Sequence, residues 1–246
     1  MQMKQKNMIR RMTDVGLTVL LLCLMAYQVT GEALHEWLGI GMTVLVIIHQ
    51  LLNAKWYGAL LKGKYHALRI TQTAVNVLLL LSFAMTALCG MAMSAHAVPF
   101  LNGMLPVSFA RQMHLSLSHW AFVLMGLHLG MHIPIMAAKL TDKKKKALSA
   151  VLCVISAAGL FFLLKNGLYN YLFFKVPFAF FDDEKAAVLV FVENAAILLF
   201  FAFIGMQSAA LLKKSKKEKQ EKVLFPILLM IIPIVIGSVL FTITAF

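Results

Sequence analysis

The chain has 246 residues, 61% of them hydrophobic and only 13% charged, with a mean hydropathy of +0.84. This composition excludes an ordinary soluble domain and predicts an all-α, polytopic membrane helical bundle. The net charge of +13 suggests nucleic acid at first sight, but the basic residues are confined to the ends of apolar segments, which excludes that partner.

Seven segments come near the roughly 20 apolar residues that a membrane crossing needs: about 15–34, 36–54, 70–95, 114–138, 147–165, 187–212 and 223–246. Lys4, Lys6, Arg10 and Arg11 precede the first, and no small-residue cleavage site follows it, so it reads as an uncleaved anchor. The second carries His35 and His49, and the loop after it holds Lys55, Lys62, Lys64, His66 and Arg69. His96 stands at the far end of the third. Arg111 precedes the fourth, which carries His114, His119, His128 and His132, with Lys139 and Lys143–Lys146 behind it. An aromatic connector (166–186) joins the fifth to the sixth and ends in Phe180-Phe181-Asp182-Asp183-Glu184. It suits an amphipathic segment in the lipid interface, a cap or a docking surface. Glu193 and Asn194 lie inside the sixth segment, where a carboxylate either bonds to a neighbouring helix or relays protons. Pro226 and Pro233 predict a kink in the seventh.

Nineteen of the 23 basic residues fall in alternate connections, with only Arg111, Lys165, Lys175 and Lys185 near the opposite surface. Excess positive charge on the cytoplasmic side then gives a cytoplasmic N-terminus and, with seven spans, an external C-terminus.

The histidines carry the chemistry. His35 with His49, and His114 with His128, are each 14 residues apart. At about 100° per residue the two rings of a pair lie only about 40° apart around a helix, separated by about 21 Å along its axis. Ionisable groups inside a bilayer are rare and mark functional paths. The second and fourth spans both run inward, so like depths pair: His35 with His114 near the outer surface, His49 with His128 deeper. Each pair offers two imidazoles to one iron, and two b-type haems with bis-histidine ligation suit electron transfer because no open position is left for substrate. On this reading residues 1–140 form a four-helix haem-binding core, and residues 141–246 add three helices.

Rivals exist. His132 lies one turn beyond His128 and, at 18 residues, on the face of His114, so it competes for the inner position or lines a quinone or propionate pocket. His119 and His132 face about 140° apart and make a poor pair. His96 competes for the outer iron, and His66 lies in a solvated loop. Gly39 and Gly41, and Gly126 and Gly130, either let a flat macrocycle approach the backbone or pack helices closely. Arg111, Lys55 and Arg69 are placed for propionates or as interfacial anchors. Trp37, Trp56 and Trp120 read as interface or packing aromatics, and the sixteen methionines as apolar filling. The three cysteines occupy different spans, without a haem-attachment motif. No dinucleotide fingerprint or P-loop is present, so a nicotinamide or flavin must sit on another chain.

The stretches AYQVTGEALHEWLG, VIIHQLLNAKWY, KGKYHALRITQT, ARQMHLSLSHWAFVLMGLHLGMH and YLFFKVPFAFFDDE resemble the flavinylation-associated cytochrome family, over about residues 8–212. This small bacterial membrane family is distantly similar to the transmembrane part of ferric reductases. The resemblance implies a b-type cytochrome that passes electrons across the membrane to extracytoplasmic proteins bearing covalent flavin. It implies His35, His49, His114 and His128 as ligands; His132 also matches the pattern, whereas His119 stands where an aromatic residue is expected. The last span has no counterpart in the resemblance.

The expectation is therefore an electron-transfer subunit rather than a complete enzyme, fed by quinol or a cytoplasmic reductase and delivering to an extracytoplasmic flavin-bearing acceptor. A histidine-lined transition-metal transporter is the alternative, although thiolate and carboxylate help is scarce. A haem-free membrane scaffold is the third reading.

Overall fold

The computed structural model describes residues 2–182 and 184–214. The seventh apolar segment, 223–246, with Pro226 and Pro233, lies outside the described residues. The elements are α1 (Gln2–Met25), α2 (Tyr27–Leu52), α3 (Lys55–Leu60), α4 (Ala67–Met91), α5 (Val107–Met136), α6 (Asp142–Lys165), α7 (Leu168–Leu172) and α8 (Ala187–Lys214), with no strand among the described residues. Five helices there are long and apolar enough to cross a membrane: α2, α4, α5 with its 3₁₀ extension to Lys139, α6 and α8. By length and composition the chain is a multi-pass membrane protein. The N-terminal half of α1 carries Arg10, Arg11 and Asp14, and α1 is not among the five.

The helices divide between two compact units built from discontinuous segments. One unit takes the described residues of Met1–Lys64, Ala84–His114 and Phe178–Ala195; the other takes those of Tyr65–Phe83, Leu115–Pro177 and Ala196–Phe246.

In the first unit α1 and α2 form a helical hairpin. The break falls at Ala26 (φ −95°, ψ 44°), followed by one turn of helix and then Gly31 at φ 68°, a left-handed conformation that glycine adopts without steric cost. The sequence places this boundary near residue 35, because the apolar run continues through the turn and only Thr30-Gly31 signals it. At the far end the Arg10 guanidinium donates to the Leu52 carbonyl at 2.6 Å, and the Asn53 side chain donates to the His49 carbonyl at 2.9 Å. These carbonyls belong to the last turn of α2, where the helical ladder runs out; the His49 carbonyl also accepts from the Asn53 backbone N–H at 3.1 Å. The Asn194 amide reaches the Met25 carbonyl at 3.4 Å, and Lys185 pairs with the buried Glu193. Glu193 is thus an ion-pair partner of the segment that enters α8, close to the hydrogen-bonding role expected of it.

The second unit packs on Val75, Leu124, Met131 and Ala209, with Leu68, Leu78, Leu79 and Leu127 around them. Glycines set its helix spacing. A Cβ on Gly130 would strike the backbone of Ala202, one on Gly205 the backbone of Leu127, and one on Gly159 the backbone of Ala196. Close approach through small residues is the main way helices associate in lipid, where apolar burial alone gives little drive. Helix α6 begins at Asp142 behind Thr141, so Lys143–Lys146 form its first turns rather than a loop.

Candidate functional site

The histidines of the first unit meet where α2 and the start of α5 come together. The rings of His35 and His114 lie 6.0 Å apart between centroids, with their planes at 73°. His114 Nδ1 donates to the Thr86 carbonyl in α4 at 2.9 Å. A carbonyl cannot donate, so the proton of the neutral ring sits on Nδ1 and Nε2 carries the free lone pair. Gly90, one turn beyond Thr86, makes room for this ring: a Cβ there would lie 3.0 Å from His114 Cε1. His35 differs. Its Nδ1 is buried without a partner of hydrogen-bonding geometry, although the Leu24 carbonyl approaches the ring. A buried polar atom left unmatched is costly, and such atoms mark sites completed by something else. Tyr27 closes one side of His35, edge-on at 5.0 Å, and stacks in turn on Phe181 at 5.4 Å.

Next to His35, Glu36 locks the segment after α4. Its carboxylate accepts from Ser94 Oγ at 2.7 Å and from the backbone N–H groups of Ala95, His96 and Ala97 at 2.9, 2.8 and 2.8 Å. Three consecutive N–H groups converging on one anion form a nest, filled here by the protein's own side chain. Glu32, Glu36 and His96 bring ligand-type atoms within 4.8 Å of one another. Four donors already occupy the Glu36 carboxylate, however, and Glu32 and His96 are exposed, so the cluster is a fold lock first. Replacing Glu36 by Ala leaves these donors to water and is expected to cost about 2 kcal/mol. Thermal unfolding in detergent should show the loss, and an unchanged melting temperature would remove Glu36 from this role.

At the other end of α2, His49 Nδ1 lies 3.0 Å from Asp14 Oδ1 in α1. The distance suits a hydrogen bond, but the alignment falls short of one; we take this as a close charge contact. Asp14 is more than half exposed, and the His49 ring is mostly covered.

In the second unit His128 Nδ1 donates to Asn76 Oδ1 at 2.8 Å. Its ring stands 4.7 Å from that of His132, which is exposed. His119 stacks on Tyr171 at 4.6 Å and turns Nδ1 to the Leu115 carbonyl of its own helix at 2.7 Å, a packing arrangement. Trp120 is buried and donates to the Leu172 carbonyl at 3.1 Å. His66 is half-buried and caps α4, with Nδ1 accepting from the Arg69 N–H at 3.3 Å.

The two glycine pairs part company. Gly126 and Gly130 are filled by α8, whereas Cβ atoms on Gly39 and Gly41 would meet nothing within 4 Å. Of the basic candidates, exposed Arg111 lies 5.2 Å over the Phe178 ring, Arg69 4.1 Å over the Tyr65 ring, and Lys55 is exposed at the start of α3. The three cysteines are free.

Sequence reasoning missed Asp14, Glu36, Asn76, Thr86 and Gly90. Only Asn76 and Glu36 carry a signal of their own, as polar residues within apolar spans. No protein-family model, no curated protein and no solved structure matches the chain. What the fold and the site define is a class, an all-α multi-pass membrane protein in which His114 and His128 are each oriented by an acceptor on α4.

Proposed function

We propose that the chain is a dihaem b-type cytochrome that carries electrons across the cytoplasmic membrane. The observation that carries this reading is the oriented Nδ1 of two histidines, with a carbonyl at His114 and an amide oxygen at His128, while at His49 a carboxylate lies close without hydrogen-bond alignment. Metal-binding histidines almost always give their second nitrogen to such an acceptor, which fixes the tautomer and leaves Nε2 for the metal. The outer pair adds a distance. The rings of His35 and His114 stand 6.0 Å apart between centroids, so both would border one bound group.

His35 and His114 would then hold the outer haem, and His49 and His128 are the other two candidate ligands, each taken from the sequence spacing. His128 is preferred to His132 because Asn76 orients it while His132 is exposed. A bis-histidine haem supplies one-electron transfer at an iron with no position open to substrate. The chain holds each imidazole in one tautomer, and Tyr27 and Phe181 cover the outer pair from one side. Arg111 is the outer cation available to a propionate. Electrons enter from quinol or a cytoplasmic reductase and leave for an extracytoplasmic flavin-bearing acceptor, with the N-terminus cytoplasmic and the C-terminus external. The resemblance supports that partner, and the basic loops support that orientation.

A reduced-minus-oxidised spectrum with a pyridine haemochrome assay tests the reading. Two b-type haems per chain with low-spin bands are expected. A colourless protein from haem-replete cells would sink it and bring forward transition-metal transport, for which Glu32, Glu36 and His96 are the nearest cluster, or a scaffold role.

A further inference from the structure

The three acceptors at Nδ1 are not equivalent. Thr86 offers a neutral backbone carbonyl and Asn76 a neutral amide, but Asp14 places a carboxylate 3.0 Å from His49. We infer that the Asp14 carboxylate acts on His49 through its charge and lowers the reduction potential of the haem this histidine would hold. The inference rests on the cytochrome reading.

Its physical basis is charge. Oxidised haem iron carries one more positive charge than reduced iron, so a nearby anion favours the oxidised state. Second-shell bonding and local charge are among the main means by which a protein sets a haem potential. The covered His49 ring, about one quarter exposed, limits water between the groups. One charge opposes the effect: Arg10, one helical turn before Asp14, turns its guanidinium to the Leu52 carbonyl at the same end of the hairpin. Arg10 is thereby tied to a helix end. At the outer pair the nearest carboxylate, Glu36, is engaged by four donors of the 94–97 segment rather than by a ring nitrogen. Asp14 thus makes the inner haem a stronger reductant than it would otherwise be, which favours passing electrons outward.

The test is a potentiometric titration of purified, haem-loaded protein bearing Asp14→Asn, which keeps the shape and removes the charge. At a fixed ambient potential the reduced-to-oxidised ratio of one haem should rise about tenfold, by Coulomb's law at partial exposure, or about 59 mV for a one-electron couple. The second haem should not move, and Asp14→Glu should restore most of the shift. The component that moves must be the one missing from His49→Ala. Unchanged potentials, or an equal shift of both haems, would overturn the inference and leave the cytochrome intact. A parent protein that binds no haem would instead overturn the reading beneath it, so the two failures are distinct.

Discussion

A His114→Ala protein is expected to fold, to bind about half the haem of the parent, and to titrate as a single redox component. On the proposed dihaem reading, half is expected because His114 would serve only one of the two haems. His114 is the best-determined candidate ligand: Thr86 fixes its tautomer, Gly90 makes room for its ring, and His35 faces it at 6.0 Å. The substitution removes the hydrogen bond from His114 to the Thr86 carbonyl, at a cost of about 0.5–1.5 kcal/mol. His119→Ala is the matched control. That ring stacks on Tyr171 and bonds within its own helix, so its removal should leave the haem count unchanged. Pyridine haemochrome per chain, measured on both variants, decides the matter. Equal haem in parent and His114→Ala would exclude the outer pair as a ligand set.

The elements that were legible in the sequence were those written in local periodicity. Apolar runs located α4, α5, α6 and α8 to within several residues at each end, and the 14-residue spacing placed His35 with His49 on α2 and His114 with His128 on α5. What stayed hidden was set by long-range contact. Thr86 acts through its carbonyl, which no side chain reveals. Asp14 meets His49, 35 residues on, only through the hairpin, so no local pattern marks it. Glu36 has its four donors some 60 positions away, beyond the reach of periodicity. The hairpin boundary was misplaced since a two-residue signal competes poorly with a continuous apolar run, and the lysines at the start of α6 read as loop because charge masks helical continuation.

Gly130→Val should be the most damaging substitution to the fold, and it separates two uses of glycine that composition alone leaves equal. Gly130 stands between His128 and His132, so a flat cofactor against this backbone would explain it; so would a helix. A Cβ at this position would run into the carbonyl of Ala202, a backbone atom that cannot rotate aside. Relief requires α5 and α8 to part, and their separation would also unseat Gly126 and Gly205, which pack along the same contact. Overpacking usually costs about 1–3 kcal/mol when side chains can yield, and a rigid obstacle along a whole helix contact should exceed that range. Gly39→Val is the counterpart, since a Cβ there meets nothing within 4 Å. Monodisperse protein recovered by size exclusion in detergent is the readout: Gly39→Val should match the parent, and Gly130→Val should yield little or none. Gly130→Val protein that is monodisperse with an altered haem spectrum would reverse the assignment, because the space beside this glycine would then belong to the cofactor rather than to α8.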